Sequence, residues 1–294
     1  MTPPLYGCIE AGGTKFVAGI VATPDDIRET VRFDTISPAE TIGATLDWLR
    51  DAQARHGALS SIGIASFGPL ELDRKAANWG HITATTKPGW SNSDFAGLVE
   101  RELGLPVGFD TDVNGAALAE ARWGAGRGHR ISVYVTVGTG IGGGAIVDGK
   151  PLYGLTHPEM GHIRPQRHTG DLAFAGICPF HADCLEGLAS GPAIKARWGL
   201  SLSELPADHP GHDIIAWYLA QMVVTLQSVM EPGRVIMGGG VMATPGLMLR
   251  VRKVATEIGK GYFRGKADDI IVPPDLSDHA GLIGGLALAQ DALL

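Results

Sequence analysis

A chain of 294 residues is about twice the ~100–150 residues of a single domain, so two domains are expected. Its 45% hydrophobic and 19% charged residues suffice for a large core and exclude overall disorder, while 42 glycines, about double the usual ~7%, signal tight turns or backbone held close to a ligand. With 24 Lys and Arg against 31 Asp and Glu, a net charge of −7 and no polybasic run, no nucleic-acid partner is expected.

Leu5–Ile9 reads as a strand, Glu10-Ala11-Gly12-Gly13-Thr14-Lys15 as a glycine turn and Phe16–Val21 as a second strand. No basic region precedes an apolar stretch in Met1–Tyr6, so no secretory signal is expected. Next come a helix at Ala39–Arg55 and a buried strand at Ile62–Phe67, stopped by Gly68-Pro69. A helix at Ser93–Leu103, a short strand at Val107–Phe109 and a helix at Val113–Trp123 follow. The opening pattern then returns as Ile131–Val137, Gly138-Thr139-Gly140-Ile141-Gly142-Gly143 and Gly144–Val147, closed by the hairpin signal Asp148-Gly149. Beyond it lie a loop-rich stretch, Leu152–Ala182, a helix around Leu188–Trp198, and the apolar helix Asp213–Met230. The strand Arg234–Met237, the turn Gly238-Gly239-Gly240 and the helix His279–Leu293 complete the chain.

Strands alternating with helices give an α/β fold, and two glycine hairpins point to a duplicated architecture, each copy opening a domain. The expected boundaries are 1–112 and 113–279, with the helix at about 280–294 packing back on the first domain and the two domains meeting across a cleft. Ile214–Met230 is interrupted by Gln221, Gln227 and Ser228, short of the ~18 uninterrupted apolar residues of a membrane span, so no membrane partner is expected. That helix is equally suited to a core or to a homodimer interface. Three cysteines are too few for a secreted disulfide framework, so the expected location is cytoplasmic.

Gly138, Gly140 and Gly143 match G-x-G-x-x-G, but the dinucleotide fingerprint must open a helix, and here a strand follows. The two tips, Gly12-Gly13-Thr14-Lys15 and Gly138-Thr139-Gly140, instead read as nests of backbone N–H groups and hydroxyls suited to phosphate, with Lys15 adding positive charge. Asp110-Thr111-Asp112-Val113-Asn114 stands where a strand gives way to a helix, the place where open α/β sheets gather ligands. Asp112 there suits either a proton acceptor for an attacking hydroxyl or a helix cap. Cys178-Pro179-Phe180-His181-Ala182-Asp183-Cys184 offers three zinc ligands, and His157, His162 and His168 are candidates for a fourth. Four protein ligands would make the metal structural; three would leave a catalytic water. Glu159 and Glu186 lie near these ligands and suit sugar hydroxyls or plain solvation.

Together these residues resemble the ROK family of sugar kinases and repressors, within the two-domain actin-like ATPase (ribonuclease H-like) superfold. The resemblance runs from Ile9 to about Gly285 and is carried by Glu10–Phe16, Thr111–Asn114, Val137–Gly143, Glu159–His162 and Cys178–Glu186. It implies that Gly12, Gly13, Thr14 and Lys15 form one phosphate loop and Thr139 and Gly140 the other. It implies Asp112 as general base, Asn114, Glu159, His162 and Glu186 as sugar ligands, and His162, Cys178, His181 and Cys184 as ligands of a structural zinc. Pro192 and Gly238, Gly239, Gly240, Val241 and Met242 would line the nucleotide site. The implied reaction is transfer of a phosphoryl group from ATP, with Mg2+, to fructose; glucose, mannose or another hexose is the alternative substrate. A zinc hydrolase and a catalytically silent sugar-binding regulator are the alternatives from other classes.

Four departures from the family pattern stand out. Glu10 replaces Asp, His181 replaces the middle zinc cysteine, Val113 replaces Ala, and Thr86 stands where glucose kinases carry Asn. The family's repressors carry a helix-turn-helix ahead of the first hairpin; eight residues precede Ile9 here, so a repressor is not expected.

Overall fold

The structure is a computed structural model and describes residues 3–276 and 279–294. The chain divides into two units, Met1–Ala119 with Tyr153–His157 and Asp278–Leu294, and Glu120–Leu152 with Pro158–Ser277.

The first unit is built from β1 (Leu5–Ala11), β2 (Lys15–Thr23), β3 (Asp26–Asp34), α1 (Pro38–His56), β4 (Leu59–Ser66), β5 (His81–Ile82), β6 (Ser93–Asp94), α2 (Ala96–Leu103), β7 (Val107–Thr111) and the start of α3 (Asp112–Trp123). Its main sheet runs β3-β2-β1-β4-β7; β1, β2 and β3 are antiparallel and β4 and β7 add in parallel. α1 begins where Ser37 accepts the Glu40 N–H at 3.3 Å and Pro38 opens the first turn. Phe16 from β2 anchors the core, with ring centroids 5.5 Å from Trp90 and 5.4 Å from Phe95.

The second unit contains β8 (Ile131–Val137), β9 (Ile141–Val147), β10 (Lys150–Pro151), α4 (Leu185–Ala189), α5 (Gly191–Trp198), α6 (Gly211–Met230), β11 (Arg234–Gly238), α7 (Leu247–Gly259), α8 (Ala267–Ile270) and β12 (Ile271–Val272). Its sheet runs β10-β9-β8-β11-β12, again two antiparallel pairings followed by two parallel ones. The topology of the first sheet is thus repeated strand for strand. Among the described residues, α6 is the one helix long and apolar enough to cross a membrane; half of it is buried, and Ile215, Tyr218, Leu219 and Val223 sit in this unit's core.

The final helix, α9 (Ala280–Asp291), belongs to the first unit and lies on β1, β4 and β7. The approach requires glycine, since a Cβ at Gly63 would sit 1.8 Å from the Gly285 carbonyl oxygen and one at Gly108 2.1 Å from that of Leu288. That accounts for part of the glycine excess.

Several elements differ from expectation. The helix expected around Leu188–Trp198 is two helices, because Ser190 ends α4 extended and caps α5, with Pro192 in its first turn. The strand expected to stop at Phe109 continues through Thr111, and the helix expected from Ser93 starts at Ala96 after the short strand β6. Strand β3 and helix α7 carry no expectation from the sequence.

Candidate active site

In the first unit, β7 delivers Asp110 and Thr111 to the start of α3. The Thr111 hydroxyl accepts the Asn114 N–H at 3.1 Å, so Thr111 caps the helix. Asp112 Oδ1 accepts the adjacent Val113 N–H at 2.9 Å and the residue is half-buried. Capping is therefore not the duty of Asp112. Asn114 is 1% exposed and turns inward, where its Nδ2 donates to Asp110 Oδ1 at 2.9 Å. Asp110, fully buried, also accepts the Thr111 N–H at 2.7 Å and the hydroxyl of Tyr153 through a short hydrogen bond. Burial pushes the Asp110 carboxyl above its ordinary range against these hydrogen bonds, and burial likewise pushes the Tyr153 phenol up. The sequence motif includes Asp110 without giving it a role, and it does not mark Tyr153. The signal for Asp110 is an acid directly after the short strand run Val107–Phe109; Tyr153, 43 residues away, offers none.

The first glycine tip lies between β1 and β2. Gly12 N–H donates to the Lys15 carbonyl at 2.8 Å, and Thr35 holds both sides, its N–H on the Thr14 carbonyl at 3.0 Å and its hydroxyl on the Gly12 carbonyl at 2.7 Å. Thr14 and Lys15 are exposed, and nothing lies within 4 Å of a Cβ built on Gly13. This leaves an open nest bordered by a hydroxyl and an ammonium.

The second tip lies between β8 and β9 in the second unit. Gly138 N–H donates to the Gly140 carbonyl at 2.8 Å, and Gly191 N–H, at the start of α5, donates to the Gly138 carbonyl at 2.8 Å. Glu186 on α4 accepts the Ile141 N–H at 3.0 Å, and its Oε2 would lie 2.7 Å from a Cβ at Gly140. A Cβ at Gly161 would sit 1.7 Å from the Ile141 carbonyl oxygen, so the 3-10 turn Met160–His162 rests on the same residue. The second glycine tip, Glu186 and the turn bearing His162 thus converge on Ile141. Exposed Glu159 precedes that turn, its Oε2 4.0 Å from His162 Nε2. Beside the tip stand Pro192, in the first turn of α5, and the turn after β11. Val241 N–H donates to the Val137 carbonyl at 3.0 Å, and Gly239 has φ of 92°, where a Cβ would sit 2.5 Å from the Val137 carbonyl oxygen. Gly239 and Gly240 are exposed, whereas Gly238, Val241 and Met242 are buried.

His162, Cys178, His181 and Cys184 bring one donor each to within 4.8 Å of the others. His162 Nδ1 is 3.3 Å from His181 Nδ1, 3.4 Å from Cys184 Sγ and 3.8 Å from Cys178 Sγ, and Cys178 Sγ is 3.8 Å from His181 Nδ1. A tetrahedral zinc bonded at ~2.0–2.1 Å to nitrogen and ~2.3 Å to sulfur requires separations of about 3.3–3.8 Å, and these four distances fall in that range. The turn is prepared by its backbone, where Cys178 and Ala182 exchange N–H bonds of 3.2 and 2.9 Å and Ala182 takes φ of 51°. Burial pushes the Cys184 thiol up to about 11, which a bound cation would reverse. The other two histidines are placed elsewhere. His157 belongs to the first unit and accepts the Leu70 N–H at 3.5 Å, and His168 accepts the Gly170 N–H at 3.1 Å.

The family model described as ROK family matches residues 6–292. A fructokinase of Zymomonas mobilis subsp. mobilis is 50% identical over 292 residues, covering 98% of this chain and 97% of its own. Among solved structures, a ROK hexokinase from Thermus thermophilus aligns with a TM-score of 0.79 and 26% identity over 98% of this chain and 99% of its own. A ROK family glucokinase from Streptomyces griseus, in complex with glucose and AMPPNP, aligns with a TM-score of 0.74 and 26% identity over the same shares, 98% and 99%. The repeated sheets, the two glycine tips and these similarities agree: the chain belongs to the ROK family and has the two-domain actin-like ATPase fold of that family's sugar kinases.

Proposed function

We propose that this protein transfers the γ-phosphoryl group of ATP to the primary hydroxyl of fructose, giving fructose 6-phosphate and ADP. The similarity to the Zymomonas fructokinase supports the substrate, and one observation carries the chemistry: Thr111, not Asp112, caps α3. In this reading Asp112 accepts the hydroxyl proton as the oxygen attacks phosphorus. The two tips orient the phosphates through their N–H groups, Thr14, Lys15 and Thr139, largely a positioning effect. Mg2+, bound with the phosphates, would neutralise charge on the transferring group. Pro192 and the 238–242 turn line the nucleotide side.

Glu159, His162 and Glu186 accept or donate hydrogen bonds to the sugar's hydroxyls. With Nδ1 facing the metal set, His162 presents Nε2 as an N–H donor. Asn114 joins them as a sugar ligand, its amide steadied by donating to Asp110. Zinc held by His162, Cys178, His181 and Cys184 would be structural, because four protein donors close a tetrahedral shell and leave no position for water; this argues against the hydrolase. Three free cysteines suit a reducing cytoplasm.

A coupled assay of ATP consumption against a panel of hexoses tests the reading. Fructose should give the highest kcat/KM. A better hexose reassigns the substrate, and no ATP turnover with any sugar removes the kinase.

A further inference from the structure

Residues 158–183 hold two single 3-10 turns, Met160–His162 and Thr169–Asp171, as their regular helical structure among the described residues. A segment of that length must be fastened to act as a binding wall. The His and Cys donors fasten its two ends. Its middle is fastened by a buried charged cluster that no sequence motif marks.

Arg197 on α5 and Asp171 have side chains only 6% and 4% exposed, with Nε 2.9 Å from Oδ1. Tyr218 on α6 donates its hydroxyl to Asp171 Oδ2 at 2.7 Å. Arg167 donates Nη2 to the Asp171 carbonyl at 2.6 Å and to that of Phe174. The Arg197 guanidinium lies 3.9 Å from the Phe174 ring centroid and 4.7 Å from that of Trp198. Its Nη2 donates to the Leu188 carbonyl at 2.9 Å, satisfying the end of α4, the five-residue helix that carries Glu186. Arg197 Nε and Nη1 and Arg167 Nε are buried without hydrogen-bond partners, so Arg197 meets Asp171 as an ion pair and donates its hydrogen bond to Leu188. One guanidinium paired with a buried carboxylate, a second on the same residue's backbone carbonyl, and donors left over are a poor device for stability. A buried ion pair of this kind serves better to select one arrangement of the segments it joins.

We infer that Arg197, through Asp171, Tyr218 and the Leu188 carbonyl, is a positioning residue that holds Glu186 and the hydroxyl-binding loop in register independently of the metal. The inference rests on the reading of Glu159, His162 and Glu186 as sugar ligands.

The test compares Arg197→Met, Arg197→Lys and Tyr218→Phe with the unaltered protein. It reads KM for fructose, KM for ATP, and the rate at which a chromogenic chelator extracts zinc. Arg197→Met should raise the fructose KM by about tenfold and leave the ATP KM within about twofold. Zinc should still bind at one per chain but leave several times faster. Arg197→Lys, keeping a charge near Asp171, should recover part of the loss. Stripping zinc from Arg197→Met should weaken fructose binding by more than the product of the two separate effects, since each fastening then lacks the other. A fructose KM that stays put while melting temperature falls, or fructose and ATP KM values that rise together, overturns the inference. If Arg197→Met does not fold, Tyr218→Phe carries the same comparison with an effect of about threefold. Should the unaltered protein fail to phosphorylate fructose, the functional reading falls, while an unchanged zinc-extraction rate in the variants is what would overturn the fastening.

Discussion

The two units contain the same sheet, yet their glycine tips are braced in different ways. The first is held by Thr35, about twenty residues along the same antiparallel meander, with two hydrogen bonds of 3.0 and 2.7 Å. The second is held from far along the chain, by Glu186 on the Ile141 N–H at 3.0 Å and by Gly191 on the Gly138 carbonyl at 2.8 Å. A locally braced tip can adjust by itself. A tip braced by the Glu186 carboxylate cannot move without moving that carboxylate. The repeated sheets carry two similar hairpins, and the segment after β10 ties one of them to Glu186, read above as a sugar ligand.

If the units divide the work in this way, chemistry in the first and recognition in the second, variants should separate cleanly. The largest effect is expected at the acid. Asp112→Asn should lower kcat by about 10²–10⁴-fold while the fructose KM stays within about threefold. Steady-state kinetics checks it, and near-normal kcat would remove Asp112 from the proton-accepting role. Removing zinc should show the opposite pattern. Chelation, or Cys184→Ala, should lower the melting temperature and raise the fructose KM by about 10–100-fold, with the ATP KM much less affected. Metal analysis that finds no zinc in purified protein would break the assignment of the four donors.

How much of this is legible in the sequence depends on how local each feature is. The strand–glycine–strand units are plain because apolar runs flank unmistakable turns, and the family motifs sit on them. The metal set is half legible. Spacing marks Cys178, His181 and Cys184, but choosing among His157, His162 and His168 requires the fold, which brings only His162 to the other three. Strand β3 escapes notice because it is an edge strand whose residues alternate between partly buried and exposed, with no apolar core signal. Helix α7 buries only Leu247, Val251 and Ala255, a thin stripe amid charged residues. Asp110 is hidden by reading β7 two residues short, and Arg197 with Asp171 by a separation that no periodicity spans.

The comparison of the tips is sharpened most by the smallest substitutions. A methyl group at Gly140 would press on Glu186 Oε2, 2.7 Å away, whereas one at Gly13 meets nothing within 4 Å. Gly140→Ala must therefore displace the carboxylate or the tip. It should weaken fructose binding by about tenfold even in nucleotide-free protein, the effect of losing one charge-assisted hydrogen bond. Gly13→Ala should leave nucleotide-free fructose affinity within about twofold and show itself in the ATP KM alone, because the added methyl group meets no side chain. Isothermal titration with fructose, without ATP, reads both. Equal effects of the two substitutions on fructose would mean that Glu186 yields without cost, and that the second tip is as independent of the sugar as the first.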